Sequence, residues 1–114
     1  MDLALVAVAL VIAFCGSEVE AQQPSKQTLE IYKQQCQLCH KADGTGVTPE
    51  MSLSDGKWSH GSSVAEVRKV ITEGVKGQAM MPYGKQFSPE EIDALARYVR
   101  TFDKNLKPEP APAK

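Results

Sequence analysis

Cys36-Gln37-Leu38-Cys39-His40 is the stretch on which the reading of this chain turns. A Cys-x-x-Cys-His pentapeptide reads as a site of covalent c-type haem attachment. The chemistry explains the spacing. Two thiols add to the two haem vinyl groups and leave thioether links, and the adjacent imidazole is then held under the iron as its axial ligand. The string is short, and the same residues also serve as a redox dithiol or as half of a zinc site. The surrounding sequence separates these readings.

Outward from the pentapeptide, the spacing predicts a first helix from about Ser25 to Cys36, with Leu29, Tyr32 and Cys36 on one face. Residues 41–62 are rich in Gly, Ser, Thr and Asp and read as a long loop. A loop of this length is uncommon in a small domain unless it is functional; here it would wrap a cofactor. Ser63-Val64-Ala65-Glu66 is a capping box opening a helix with Val64, Val67 and Ile71 as its apolar stripe, Val70 beside it, and Gly74 as its stop. A second loop, Val75 to Phe87, holds Gly77, Met80, Met81, Pro82 and Gly84. Ser88-Pro89-Glu90-Glu91 is a second capping box, and Ile92, Leu95, Ala96, Val99 and Phe102 follow at helical spacing. No stretch reads as a strand. The expectation is an all-α domain of three or more helices with long loops wrapped around one covalent haem.

A haem iron in an electron carrier is held on both faces. His40 supplies one ligand; the candidates for the other are Met51, Met80, Met81 and His60. A thioether favours the reduced iron and raises the potential relative to two imidazoles. Met81 is preferred because it precedes Pro82 in a Gly-bearing loop just ahead of a strongly capped helix, and Pro82 restricts the loop backbone. A Met in a small domain more often fills the core, which keeps Met80 open as the alternative. His60 is most simply an exposed loop histidine, with bis-histidine ligation as its other reading.

Leu3 to Phe14 is an uncharged apolar run of twelve residues, too short to span a bilayer comfortably and suited to a signal-peptide core. Cleavage is expected after Ala21, so residues 1–21 are read as a signal peptide, although Met1-Asp2 lacks the usual basic start. Cys15 offers a rival ending, lipid anchoring, against which the bulk of Phe14 counts. Export places the chain in the periplasm, where haem attachment of this kind occurs, and leaves no membrane span after cleavage. Removing 21 of 114 residues leaves 93, and the loss of Asp2, Glu18 and Glu20 with no base takes the formal charge from −1 to +2. That is one domain, read as residues 22–106, followed by a Pro-rich tail, 107–114, expected to be disordered or extended. The near-balanced charge shows no basic stripe for nucleic acid. Cys36 and Cys39 are the only cysteines of the mature chain, which leaves no thiol for a structural disulfide.

Taken together, CQLCH, Asp43-Gly44-Thr45-Gly46, Met81-Pro82-Tyr83-Gly84 and the terminal SPEEIDALARYV resemble a class I c-type cytochrome, in that family's order, over roughly Ser25 to Phe102. The resemblance implies thioethers at Cys36 and Cys39, a proximal ligand at His40, a distal ligand at Met81 and one haem c. It further implies that Tyr32 and Tyr98 join the first and last helices, and that Trp58 lies near a haem propionate, where its indole N–H donates; simple packing is the alternative for Trp58. Two departures stand out: Lys41 replaces the Gly that often follows the motif His, and Thr28 replaces a Gly at a close helix crossing, which would widen that crossing. The expected function is exported, monomeric electron transfer with other redox proteins, namely a dehydrogenase, reductase or terminal oxidase. With both axial positions filled, no open position remains for a substrate, which argues against an enzyme. Lys41, Lys57, Lys76 and Lys85 flank the expected haem edge and would steer an acidic partner. A haem enzyme or gas sensor and a thiol–disulfide oxidoreductase are the rival classes. The latter usually needs a strand–helix unit, which is not found.

Overall fold

Two serines set the frame of the fold. In the computed structural model, which describes residues 23–110, Ser63 and Ser88 each accept from the backbone N–H three residues on, while Glu66 and Glu91 reach back to the N-cap N–H, completing both capping boxes. They open α3, Val64–Glu73, and α4, Pro89–Arg100. Each satisfied cap contributes about 1 kcal/mol. The first helix begins at α1, Lys26–Ile31, where the Ser25 hydroxyl accepts from the Thr28 N–H. It continues through a π turn, Tyr32–Cys36, into α2, Gln37–His40. No strand occurs among the described residues.

The π turn changes which residues are buried. Such insertions are often found at functional sites. Here the wider turn shifts the Cys-x-x-Cys-His segment around the axis relative to the residues before it. The expected stripe of Leu29, Tyr32 and Cys36 is corrected: Cys36, beyond the wider turn, is half-buried, and before it Leu29 is 42% exposed while Thr28, four residues ahead of Tyr32, joins it in facing inward. Thr28 has its hydroxyl 2.9 Å from that of Ser25, so the position where the resembled family often has Gly is filled by a hydrogen-bonded side chain.

Val64, Val67 and Ile71 of α3 pack along Ile92, Leu95, Ala96 and Val99 of α4 to form the core with Tyr32. Each such aliphatic side chain contributes about 1.5–3 kcal/mol when fully buried. Phe102 lies past the helix end but still packs on this cluster. It makes a triad with Tyr32 and Tyr98, ring centroids 5.2–5.5 Å apart, which joins α1 to α4 as the resemblance implied.

The loop after α2 contains one 3-10 turn, Pro49–Met51. Its start folds back onto the motif, with the N–H groups of Gly46 and Val47 donating to the carbonyls of His40 and Cys39 at 3.0 and 2.9 Å. The part of the tail described, as far as Pro110, is held by hydrogen bonds: Arg97 donates to the carbonyls of Glu109 and Pro110, and Glu109 accepts from Val64. Among the described residues no helix is long and apolar enough to cross a membrane. The stretch read as a signal peptide, residues 1–21, lies outside the described residues, and Cys15 with it.

Candidate functional site

Between α3, α4 and the two long loops lies a cavity of about 460 Å³, within the usual size range for cofactor sites. Val67, Val70, Ile71, Leu95 and Val99 supply apolar walls, and Cys36, Cys39 and His40 also line it. All four candidates for the opposing ligand, Met51, His60, Met80 and Met81, line the same cavity. Residues as far apart in sequence as Cys36 and Val99, 63 positions, are thus gathered around one space.

His40 is held in a defined orientation. Its Nδ1 lies 2.6 Å from the carbonyl oxygen of Met51. A carbonyl has no proton to give, so Nδ1 carries the hydrogen and donates it, leaving the Nε2 lone pair free. A hydrogen bond on the far ring nitrogen is the usual way to fix the tautomer of a ligating imidazole and raise its basicity. The sequence offered no signal for this role of Met51, since any residue has a carbonyl.

The Cys36 thiol is pushed up to about 11 by burial. A catalytic or redox-active cysteine needs the opposite, a depressed pKa, so the dithiol reading loses support. A zinc reading fares no better: among the described residues no group of three or more His, Cys, Asp or Glu side chains is arranged to hold a metal ion. Two thiols beside an oriented imidazole, lining one largely apolar cavity with three thioethers, fit the donor and attachment needs of a c-type haem.

The second loop is fastened at several points. Tyr83 and Gly84 donate their N–H groups to the carbonyls of Ile71 and Thr72 at 2.9 and 3.1 Å. Tyr83 Oη donates to the carbonyl of Gln35 at 3.2 Å, tying this loop to the turn that bears Cys36. Gly74 does more than end α3. Its φ is +67°, and a Cβ there would lie 2.7 Å from the carbonyl oxygen of Met80 and from the nitrogen of Pro82. The Met80–Pro82 segment crosses directly over it. Met80 packs against the core, whereas Met81 is 64% exposed.

Trp58 also lines the cavity, but its Nε1 donates to Asp103 Oδ2 at 2.8 Å. The expected donation to a haem propionate is therefore corrected: the indole N–H is already taken, by a carboxylate at the far end of α4. That bond is the leading cause that lowers the Asp103 pKa below the ordinary carboxylate value. Of the four lysines expected near the haem edge, Lys57 lines the cavity, and Lys41, Lys76 and Lys85 are exposed.

The Cys-x-x-Cys-His motif, the helical fold and this cavity together mark a c-type cytochrome, a class with covalently bound haem c. More closely, the chain belongs to the family described as cytochrome c oxidase, cbb3-type, subunit III, whose model matches residues 24–99. It is 29% identical over 80 residues to the cbb3-type cytochrome c oxidase subunit FixP of Sinorhizobium medicae, covering 63% of this chain and 28% of that protein. It is 27% identical over 85 residues to subunit CcoP of Rubrivivax gelatinosus, covering 73% and 28%. The chain thus spans about a quarter of the length of these relatives. Among solved structures, the KustC0563 c-type cytochrome matches at TM-score 0.57 and 31% identity, over 67% of this chain and 96% of that one. A chain of the Kuenenia stuttgartiensis reducing HAO-like protein complex matches at TM-score 0.64 and 16% identity, over 81% and 50%, a likeness of fold alone.

Proposed function

We propose that the chain is an exported single-haem electron carrier. In this reading Cys36 and Cys39 would carry the covalent links, His40 Nε2 and Met81 Sδ would ligate the iron, and the protein would exchange electrons with the redox centres of an oxidase-type complex. The observation that carries it is the hydrogen bond from His40 Nδ1 to the Met51 carbonyl, which orients Nε2 as a ligand. When bound, the haem supplies a one-electron ferrous–ferric couple. The chain's own residues do the rest. Val67, Val70, Ile71, Leu95 and Val99 exclude water from the cavity, and Tyr83 and Gly74 hold the second loop across its mouth.

Three observations favour Met81 over its rivals. The Met80 side chain is engaged in core packing. The Met51 carbonyl is committed to the His40 side. Met81 lines the cavity without packing on the core cluster. With both axial positions filled by the chain, the reading is a carrier rather than an enzyme. The relatives are named as subunits of cbb3-type cytochrome c oxidases, so a terminal oxidase or its electron donor is the proposed partner class. Export with cleavage after Ala21 places the protein in the periplasm, as the apolar run Leu3–Phe14 supports.

Optical spectra of the periplasmically expressed protein test the ligand set. A weak sulfur-to-iron band in the far red is expected in the oxidised protein, lost in Met81→Ala and kept in Met80→Ala. Loss in Met80→Ala instead would reassign the ligand. Absence of the band from the unaltered protein would refute thioether ligation and favour His60 or an open iron.

A further inference from the structure

The cavity wall formed by Trp58, Ser59, His60 and Gly61 has no helix of its own. It is held from behind. Trp58 Nε1 donates to Asp103. Arg100 Nε donates to the carbonyl of Ser62 at 2.6 Å. The N–H of Val64, first residue of α3, donates to Glu109 Oε2 at 2.9 Å, from 45 residues away. Every one of these partners comes from the end of α4 or the segment beyond it.

That segment is itself gripped. Arg100, only 7% exposed, donates through Nη1 to the Lys107 carbonyl at 3.2 Å and pairs with Glu109 at 3.5 Å. Arg97 donates through Nη1 to the carbonyls of Glu109 and Pro110 at 2.9 and 3.1 Å. Its Nε is fixed by Asp93 at 2.7 Å, and Asp93 is faced in turn by Arg68 of α3 at 3.6 Å. Pro108 and Pro110 have restricted φ and no N–H donor. Lys107–Pro110 is therefore a stiff segment rich in acceptors, laid across two arginines that have only donors to offer.

We propose that Lys107–Pro110 is a strap and that Glu109 is a positioning residue for the haem cavity. By pinning Val64 and Arg100, it fixes the Trp58–Gly61 wall and thereby limits access of outside ligands to the iron and sets its potential. Releasing the strap leaves Arg100 with fewer partners and frees the Val64 N–H, so local opening of the wall becomes easier. The inference rests on the haem occupying this cavity as proposed above.

The test uses the full-length ferric holoprotein with Glu109→Ala, Glu109→Gln and Arg97→Gln. Imidazole affinity, midpoint potential and thermal midpoint are measured for each. Glu109→Ala is expected to bind imidazole about tenfold more tightly, equivalent to about 1.4 kcal/mol, with a shifted potential. Glu109→Gln, whose amide oxygen still accepts from Val64, should change less. Arg97→Gln, which loosens the strap but leaves the Val64 N–H bond to Glu109 in place, should move both readouts in the same direction as Glu109→Ala. A lower thermal midpoint with unchanged imidazole affinity and potential would overturn the proposal by making the strap merely structural, as would no change in any readout. The far-red band of the unaltered protein is a separate check: its absence refutes the Met81 assignment, while the strap is judged on the differences between variants and parent.

Discussion

Lys41 is the one non-glycine residue with positive φ among those described, and replacing it with Gly should stabilise the protein. Its backbone lies at φ 66°, ψ 162°, a region essentially reserved for Gly and costing about 1–3 kcal/mol for other residues. The surrounding bonds show what imposes it. The Lys41 N–H donates to the Gln37 carbonyl at 2.8 Å, closing α2. Its own carbonyl accepts from Tyr32 Oη at 2.6 Å and from the Gly44 N–H at 3.2 Å. The chain must reverse at this point to bring Met51 back over His40. Gly removes the Cβ conflict but costs about 0.5–1 kcal/mol through the greater freedom of the unfolded chain. The net gain lies between about 0 and 2.5 kcal/mol, centred on about 1 kcal/mol, and each 1 kcal/mol raises the thermal midpoint by about 4–8 °C for a domain of this size. Thermal and guanidinium unfolding of the ferric holoprotein, followed by far-ultraviolet circular dichroism, would measure it. Lys41→Ala is the control: it removes the exposed side chain but keeps the Cβ, and should fall within about 0.5 kcal/mol of the parent. Equal stabilities for the Gly and Ala variants would refute the argument from backbone strain.

Two further outcomes follow from the second loop and the cavity wall. Gly74→Ala puts a methyl group against the backbone of Met80 and Pro82 at a positive φ; it should destabilise the fold by about 1–3 kcal/mol and weaken the far-red band, and a native spectrum with native stability would contradict the close crossing. Asp103, whose folded pKa is depressed chiefly by the Trp58 bond, contributes stability that is present above the unfolded carboxylate value of about 3.9 and is lost as pH falls through the lower folded value. Urea midpoints measured from neutral pH down through that range should fall for the parent more steeply than for Asp103→Asn, and parallel curves would count against the assignment.

The local features were legible because their causes are local. A capping box needs four consecutive residues, and both occur where the sequence placed them. The stripes of α3 and α4 follow from helical period alone, and their aliphatic residues are buried as expected. Leu29 was misplaced because Thr28, four residues before Tyr32, and Leu29, three before, both lie beside it on a helix, and the period alone does not choose between them; Cys36 was displaced because no sequence rule signalled the π turn that starts at Tyr32. Trp58 was assigned the wrong acceptor because Asp103 stands 45 residues away. Arg100 did leave a trace, being a charged residue four positions after the buried Ala96 on the apolar face of α4. Its partners, Ser62, Lys107 and Glu109, left none.

The sequence by itself determined the class of protein, because covalent haem attachment needs two cysteines and a histidine at fixed short spacing, and short spacing survives in one dimension. It determined the helices too, through their caps and apolar periods. The tertiary structure alone decided how the imidazole is oriented, why Gly74 lies beneath the second loop, where the Trp58 N–H goes and what holds the cavity wall. Each of these is a hydrogen bond or close approach between residues that no helical period links, from six positions apart at Gly74 and Met80 to 45 at Trp58 and Asp103. Such contacts exist only once the packing of α1, α3 and α4 has fixed the distances between them.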